Sequence, residues 1–240
     1  MGFIPHPHHA IGVLGGTFDP IHYGHLRMAE ELADALGLSE VRFIPAGQPP
    51  HRNAPRSAAT HRLEMVRLAT SGNPRFTVDA REIELERVSY TVDTLTDLRC
   101  EMGTEQPLWL LMGADAFLGL PSWKNWRQLF DLTNIAVAHR PGALIRPDTL
   151  STELRQEFDN RLISDEGRVK EEKGNPEATH PAPSTLPPTP AGRILLKPIT
   201  QLDIAATDIR ARLQQGHSVR YLTPDCIADY IEQHNLYLTA

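Results

Sequence analysis

The strongest constraint on the fold is the alternation of short apolar runs with helical patterns along the first 140 residues. The apolar run at 10–16 (AIGVLGG) ends in glycines, which is typical of a buried strand entering a turn. Residues 26–36 carry apolar side chains at helical spacing before Gly37, and VRFIP at 41–45 is a second strand. This alternation predicts an α/β fold with a doubly wound parallel sheet, because parallel strands need crossover helices that cover both faces.

The later elements follow from the same signals. We expect a C-terminal helical part at about 207–240, in which Thr223 caps the last helix and Pro224 takes its first helical position. The other predicted helices cover 61–70 and 91–102, and the other strands cover 76–78 (FTV), 82–86 (EIELE), 108–113 (LWLLMG), 135–139 (IAVAH) and 193–198 (RILLKP). Ligands of such sheets bind beyond the carboxyl ends of the strands, which directs attention to residues 15–25, 45–52, 113–115 and 139–141.

A chain of 240 residues suits a single domain, here 1–240, that carries an insertion. The α/β pattern breaks between about 141 and 192, where a charged middle precedes a proline-rich tract. Residues 149–162 predict a polar helix, whereas the proline-rich part has too few apolar side chains to order itself. We therefore expect a partly disordered insertion, which is a tolerated surface feature by default.

Composition argues against several classes of protein. The formal net charge of −6, with basic residues scattered singly, argues against nucleic-acid binding. No stretch approaches the roughly 18 apolar residues of a membrane helix, and the first ten residues lack the pattern of a secretory signal. Cys100 and Cys226 stand apart from each other, so neither a disulfide framework nor a zinc site is indicated. These features predict a cytoplasmic protein that does not associate with a membrane.

The segment GGTFDPIHYGH at 15–25 combines a glycine pair with two histidines. Gly15 and Gly16 are expected to let the backbone turn tightly and approach a ligand closely, since neither has a side chain. Because the segment links a strand to a helix N-terminus, phosphate is the natural ligand there. Neither a P-loop nor a GxGxxG pattern is present, so the two common nucleotide fingerprints are absent.

His22 and His25 share one face of a helix if they lie in its first turn, so both can meet the same ligand. Spacing alone leaves three roles open, namely phosphate contact, zinc binding and a surface or capping role. Zinc requires a third protein ligand that this motif does not supply, which favours phosphate. Bound phosphate would favour the charged form of an imidazole, whose ordinary pKa is about 6.5.

This segment resembles the HxGH signature of the nucleotidyltransferase superfamily. Further motifs follow it as in bacterial nicotinate-nucleotide adenylyltransferases: PPHR at 49–52, SYTVDTL at 89–95, GAD at 113–115, SW at 122–123 and TDIR at 207–210. The chain is similar to this family from residue 10 to 237, apart from most of the insertion. The resemblance implies a Rossmann-like nucleotidyltransferase fold and transfer of AMP from ATP to nicotinate mononucleotide, which gives deamido-NAD and pyrophosphate.

The resemblance also implies the site residues. Catalysis would rest on His22, His25, Arg52 and Arg210. ATP would be bound by Gly15, Gly16, Thr17, Phe18, His22, His25, Asp115, Thr207 and Arg210, and nicotinate mononucleotide by His51, Tyr90, Thr91, Trp123 and Arg140. Mg²⁺ would accompany ATP, with no metal ligand assigned to the protein itself. The implied partners are ATP and nicotinate mononucleotide, without nucleic acid or membrane, and a homo-oligomer stays open.

Plain structural roles stay open for several of these residues. Asp115 is alternatively a helix N-cap, and His51 and Arg52 alternatively belong to a solvated basic loop. Trp109 and Trp126 are expected in the core, whereas Trp123 matches the residue that stacks on the pyridine ring in the family.

Two positions depart from the family pattern. Ala205 stands where a serine hydroxyl is expected, and Arg52 stands where many relatives have lysine. A transferase for nicotinamide mononucleotide or phosphopantetheine is the nearest rival, and a noncatalytic nucleotide-binding regulator is a rival of another class. The SYTVDTL and SW motifs favour the pyridine substrate with a carboxylate.

Overall fold

The structure is a computed structural model that describes residues 10–48, 54–85, 88–139, 145–163, 189–200 and 202–238. Within these ranges, the strands form one parallel sheet in the order β3-β2-β1-β4-β5-β7-β6. The strands are β1 (Ile11–Gly16), β2 (Glu40–Pro45), β3 (Phe76–Val78), β4 (Leu108–Gly113), β5 (Asn134–His139), β6 (Leu162–Ile163) and β7 (Ile194–Pro198).

Helices cover this sheet on both faces. They are α1 (Tyr23–Leu36), α2 (Ala59–Thr70), α3 (Arg81–Glu84), α4 (Thr91–Met102), α5 (Ala114–Leu118), α6 (Leu129–Leu132), α7 (Thr152–Arg161), α8 (Ala206–Gln214) and α9 (Asp225–Gln233). Short 3₁₀ turns lie at Leu120–Ser122, Trp126–Gln128 and Pro147–Thr149. Within the described ranges, no helix combines the length and apolar character that a membrane span requires.

The apolar core is divided by the sheet into two clusters. Val13 of β1 and Leu110 of β4 pack in one cluster, whereas their chain neighbours Leu14 and Trp109 pack in the other. Successive residues of a strand point to opposite faces, so both faces of the sheet are buried. The predicted doubly wound α/β fold is therefore confirmed.

The order of strands places a crevice beside β1. The chain runs outward from β1 through β2 to β3, and then returns to β4 on the other side of β1. Such a reversal between β1 and β4 leaves an opening beyond the carboxyl ends of the two strands. Because β1 ends at Gly16 and β4 ends at Gly113, the segments that follow these glycines border the opening.

The prediction of a strand at 82–86 was wrong. The chain forms the short helix α3 there, because the Asp79 carboxylate at the end of β3 accepts the backbone N–H of Arg81 at 3.0 Å and starts a turn. Ile83 and Glu84 then donate their amides to the carbonyl of Ala80. The alternating letters of EIELE imitate a strand, but the polar side chain before them favours a turn.

The prediction that Thr223 caps the last helix was also wrong. Helix α9 begins at Asp225 with Pro224 as its N-cap residue, and Pro224 supplies no side-chain hydrogen bond to the helix. The buried Thr223 hydroxyl instead donates to the carbonyl of Ile21 at 2.8 Å. It therefore ties the start of α9 to the segment between β1 and α1.

The predicted polar helix at 149–162 is present as α7. Ser151 caps it by accepting the amide of Leu154 at 3.3 Å, and Leu154 and Phe158 are buried in the core one turn apart. A helix that is polar on most of its surface thus holds part of the core. The proline-rich tract at 180–192 begins outside the described residues, and the charged middle at 165–177 lies wholly outside them.

Candidate active site

A cavity of about 1860 Å³ opens beyond the carboxyl ends of β1, β4 and β5. Pockets for single ligands have volumes of roughly 300–1,000 Å³, so this cavity has room for two nucleotide-sized molecules. The predicted site residues that line it are Gly15, Gly16, Thr17, Phe18, His22, His25, Tyr90, Thr91, Asp115, Trp123, Thr207 and Arg210. The predicted site residues His51, Arg52 and Arg140 lie outside the described residues.

The prediction that Gly15 and Gly16 form the tight turn was wrong. Both glycines are the last residues of β1 and pair with β2, while the backbone turns at Phe18, whose φ is 49°. A side chain at Gly16 would collide with the Phe18 ring, because an added Cβ would lie 2.9 Å from it. At Gly15 an added Cβ would meet no atom of the described residues within 4 Å, which leaves the backbone open to close approach by a ligand.

His22 and His25 face each other at the start of α1. Their ring centroids are 3.8 Å apart with an angle of 28° between the planes, so the imidazoles stack. The Phe18 ring supports the edge of His25 at 5.1 Å. Gly24 between them has no side chain, and an added Cβ would lie 3.0 Å from the His22 ring. A larger residue at this position would therefore press on the stacked pair.

Burial keeps the His22 imidazole neutral. The residue is 6 % exposed, and desolvation lowers the pKa of His22 to about 4. Its Nδ1 atom is buried and has no hydrogen-bond partner within the described protein. An unsatisfied buried nitrogen is costly, so a ligand in the cavity that offers a hydrogen bond would relieve that cost.

Arg210 joins the first loop to the N-terminus of α8. Its Nη1 donates to the carbonyl of Asp19 at 2.6 Å. Ala205 is the N-cap residue of α8 and supplies no side-chain hydrogen bond, which is the consequence of the missing serine hydroxyl. The carbonyl of Ile204 lies 3.6 Å from where a Cβ of Gly24 would stand, so the starts of α1 and α8 are close neighbours. Two helix N-termini on one wall make it favourable for anions.

The opposite wall of the cavity is formed by the starts of α4 and α5. Asp115 is exposed in the first turn of α5, where Gly113 is the N-cap residue, so the alternative of Asp115 as an N-cap was wrong. Trp123 is partly buried against the core and lines the cavity.

Tyr90 is the N-cap residue of α4, and the Lys124 ammonium lies 4.3 Å from the centre of its ring. Sequence reasoning missed Lys124, because this residue lies one position outside the recognised SW motif.

Asp19 anchors the first loop from behind. Its carboxylate accepts the amide of Arg56 at 2.7 Å, the hydroxyl of Ser57 at 2.5 Å and the hydroxyl of Tyr237 at 2.7 Å. Burial raises the pKa of the Tyr237 hydroxyl, which therefore stays protonated and donates. The peptide bond between Asp19 and Pro20 is cis. Sequence reasoning missed Asp19, although it stands within the motif, because none of its three partners is close in the chain.

Arg62 ties two loops of the cavity together. This buried residue of α2 donates from Nη1 to the carbonyl of Thr17 at 2.8 Å and from Nη2 to the carbonyl of Gly47 at 3.0 Å. One side chain thus links the segment after β1 with the segment after β2. Nothing in the sequence pattern signals this role, because the residue resembles any arginine on a helix surface.

The donor set of the cavity bears on how a divalent cation would be held. Among the described residues, no three histidine, cysteine, aspartate or glutamate side chains converge as metal ligands. A divalent cation in this cavity would therefore take its ligands from water and from the oxygens of a bound anion.

The chain matches known proteins over most of its length. The cytidylyltransferase-like family model covers residues 13–212. The probable nicotinate-nucleotide adenylyltransferase of Dechloromonas aromatica (strain RCB) is 49% identical over 227 residues, which are 95% of this chain and 97% of that relative. The corresponding protein of Halorhodospira halophila (strain DSM 244 / SL1) is 45% identical over 96% of both chains.

Solved structures share the fold at low identity. The Plasmodium falciparum nicotinic acid mononucleotide adenylyltransferase complexed with NaAD gives a TM-score of 0.67 at 16% identity, over 96% of this chain and 98% of that one. A putative nicotinate-nucleotide adenylyltransferase from Vibrio parahaemolyticus gives 0.59 at 13%, over 97% of both chains.

The parallel sheet, the cavity at its switch point and the match to residues 13–212 define a cytidylyltransferase-like nucleotidyltransferase. With its extensive identity to curated relatives, the chain belongs to the nicotinate-nucleotide adenylyltransferase family. The family that the motifs indicated is thereby confirmed.

Proposed function

We propose that the protein transfers AMP from ATP to nicotinate mononucleotide and releases deamido-NAD and pyrophosphate, as a step of NAD biosynthesis. The observation that carries this proposal is the single cavity whose two walls have different chemistry. One wall combines the stacked histidines with two helix N-termini, and the other presents Trp123 and the start of α4. The first suits a triphosphate, and the second suits a planar ring with a carboxylate.

The chemistry needs no nucleophile from the protein. A phosphate oxygen of the mononucleotide attacks the α-phosphorus of ATP, a new P–O bond forms, and the bond to the bridging oxygen breaks so that pyrophosphate leaves. The protein contributes by placing the two anions in line and stabilising charge at the transferring phosphorus. We assign this stabilisation to His25 and Arg210, with His22 as a hydrogen-bonding partner whose buried Nδ1 a phosphate oxygen or its water would satisfy.

The other assignments follow from position. We propose that Gly15, Gly16, Thr17 and Thr207 bind ATP through the backbone and a hydroxyl, and that Asp115 accepts ribose hydroxyls. Phe18, 2 % exposed, would act by supporting His25. Tyr90, Thr91 and Trp123 would bind the pyridine ring and its carboxylate. The roles of His51, Arg52 and Arg140 remain those implied by the motifs, since these residues lie outside the described part of the chain.

Mg²⁺ is the divalent cation that we propose for this reaction. Bound to the phosphates of ATP, it would neutralise charge on the leaving pyrophosphate. We further propose that residues 1–240 act as one nucleotidyltransferase domain in the cytoplasm. The location is supported by Cys100 and Cys226, both of which are exposed and free.

The purified protein tests this proposal in one assay. Pyrophosphate release is measured with ATP and Mg²⁺ in the presence of nicotinate mononucleotide, nicotinamide mononucleotide or phosphopantetheine. We expect the highest kcat/KM with the nicotinate form. About tenfold preference for the amide would contradict the proposed substrate, since that ratio corresponds to about 1.4 kcal/mol of transition-state binding in the wrong direction. Absence of release with every substrate would indicate a noncatalytic protein.

A further inference from the structure

The carboxylate of Glu82 lies at the cavity but has no part in the proposed chemistry. Its Oε2 accepts the hydroxyl of Ser89 at 2.8 Å, and its Oε1 accepts the hydroxyl of Thr94 at 2.6 Å. Both hydroxyl residues are buried, and all three residues line the cavity. Two buried hydroxyls that converge on one carboxylate form a specific arrangement, because each oxygen receives one directed hydrogen bond.

The two hydroxyl residues flank the N-terminus of α4. Tyr90 is the N-cap residue and Thr91 the first helical residue, so Ser89 precedes the cap and Thr94 is the fourth helical residue. In many helices, apolar side chains at these same two positions pack together and fix the angle at which the chain enters the helix. Here both side chains are short and polar, and the Glu82 carboxylate bridges them. Glu82 therefore sets the path of the chain through Tyr90 and Thr91.

That path matters because Tyr90 and Thr91 are the residues proposed to meet the nicotinate carboxylate. The first amides of a helix have no partner within the helix and carry partial positive charge, so they can bind a carboxylate if they are aimed correctly. A displacement of about 1 Å in a positioning contact costs on the order of a hundredfold in rate. A residue that fixes the direction of these amides therefore influences which mononucleotide is accepted.

Glu82 is itself firmly supported. A side chain at Gly47 would collide with the backbone carbonyl of Glu82, so the segment after β2 lies directly against α3. Arg62 holds this segment through the Gly47 carbonyl and holds the first loop through the Thr17 carbonyl. The bridge at α4 is therefore braced against the wall of the cavity that we assign to ATP.

We propose that Glu82 is a positioning residue for selection of the acid over the amide mononucleotide, and that it acts by bridging Ser89 and Thr94 at the start of α4. This inference rests on the proposed function and deepens it. Glu82 does not touch the substrate in this proposal, so its removal should impair the pyridine side of the site and spare the ATP side.

The test compares Glu82→Ala and Glu82→Gln with Glu84→Ala. Glu84 is exposed on the same short helix, which makes it a matched control. For Glu82→Ala we expect KM for nicotinate mononucleotide to rise about tenfold or more, KM for ATP to stay within about twofold, and the acid-over-amide ratio of kcat/KM to fall. Glu82→Gln should keep KM and the acid-over-amide ratio near the wild-type values. Its side-chain amide can accept a hydrogen bond from one hydroxyl and donate one to the other. Glu84→Ala should match the wild type.

A second variant keeps the test decisive if Glu82→Ala fails to fold. Thr94→Val removes one of the two bridged hydroxyls at nearly constant volume and should shift KM and selectivity in the same direction. The double variant Glu82→Ala/Thr94→Val should be no worse than Glu82→Ala alone, because both changes break one link. Thermal unfolding monitors folding of each variant.

The outcomes separate this inference from the proposed function. If the wild type does not turn over nicotinate mononucleotide, the proposed function fails. If the wild type is active and Glu82→Ala or Thr94→Val keeps its acid-over-amide ratio, only the role of Glu82 is overturned. The role of Glu82 would also be overturned if KM for ATP rose as much as KM for nicotinate mononucleotide. It would likewise be overturned if Glu82→Gln were as impaired as Glu82→Ala.

Discussion

At the scale of single residues, the two histidines of the first motif differ in what surrounds them. His22 is buried and neutral, whereas His25 is partly buried between the Phe18 ring and the cavity. Their stacked rings make a pair in which one imidazole supports the other. This asymmetry supports the charge-stabilising role that we propose for His25, and it leads to two separate predictions.

Replacing His25 by alanine should lower turnover much more than it weakens ATP binding. In the proposed role the imidazole acts on charge that develops only during transfer, and loss of one such group costs about 10²–10³ in kcat. The measurement is kcat from pyrophosphate release together with Kd for ATP from equilibrium titration. His217→Ala, at an exposed position, serves as the control. A Kd that rises in proportion to the fall in kcat would assign His25 to ground-state binding instead.

His22 should make stability depend on pH. Its pKa is lowered to about 4 in the folded protein, while an unfolded chain has about 6.5. The unfolded state therefore binds more protons between these values, and the stability present above pH 6.5 is lost as the pH falls through about 4. Between about pH 7.5 and pH 5, titration of this one group should lower the free energy of unfolding by about 2 kcal/mol.

Urea unfolding of the wild type and His22→Asn measures this effect. The variant should be less stable at neutral pH, since ring packing is lost, but its stability should decline less between the two pH values. Parallel declines in the two proteins would show that His22 does not titrate in this way.

At the scale of elements, the start of α1 depends on Gly24. Alanine there would improve helix propensity by up to about 1 kcal/mol but would press on the His22 ring, which is buried against His25 and cannot move away freely. We expect Gly24→Ala to fold with stability within about 1 kcal/mol of the wild type and to lose about tenfold or more in kcat/KM.

Gly72→Ala provides the matched control for this prediction. Within the described part of the chain, an added Cβ at Gly72 would meet no atom within 4 Å, so both stability and activity should be unchanged. Thermal unfolding and pyrophosphate release on both variants complete the comparison. An active Gly24→Ala enzyme would show that the histidine pair tolerates displacement.

The sequence predicted most of these elements because apolar periodicity reports burial directly. Helix α4 and strand β4 were predicted with the bounds that the structure has. The failures lie where a polar side chain is used by a distant partner or by a turn. Thr223 is a residue type that often caps helices, but its hydroxyl donates to the carbonyl of Ile21 instead. The alternating pattern at 82–86 is interrupted by a turn that starts at Asp79. Local pattern carries no information about such competition.

At the scale of the whole molecule, the first loop is held by residues from distant parts of the chain. Tyr237→Phe removes one hydrogen bond to the Asp19 carboxylate, and a bond to a charged group contributes about 1.5–3 kcal/mol. We expect that loss in the free energy of urea unfolding, together with a higher KM for ATP. Tyr221→Phe, at a side chain that is 82% exposed, should change neither quantity. Equal stability of the two variants would remove Tyr237 from this network.

The candidate site was predictable from sequence only in part. The motifs located many of the residues that line the cavity, because these motifs follow one another in the order typical of the family. The residues that hold those motifs in place were not predictable, since Asp19, Arg62 and Glu82 act through partners that only the fold brings near. Their side chains look like ordinary surface charges until their burial is known.

The long reach of the Asp19 contacts has a consequence for how the protein refolds. Asp19 meets Arg210 across 191 positions and Tyr237 across 218. Closing loops of that length costs entropy that a sheet already formed can offset, so these contacts should form after most helices and strands are in place. During refolding, nucleotide binding should thus recover later than secondary structure. A chain with a native circular dichroism spectrum can therefore still fail to bind ATP.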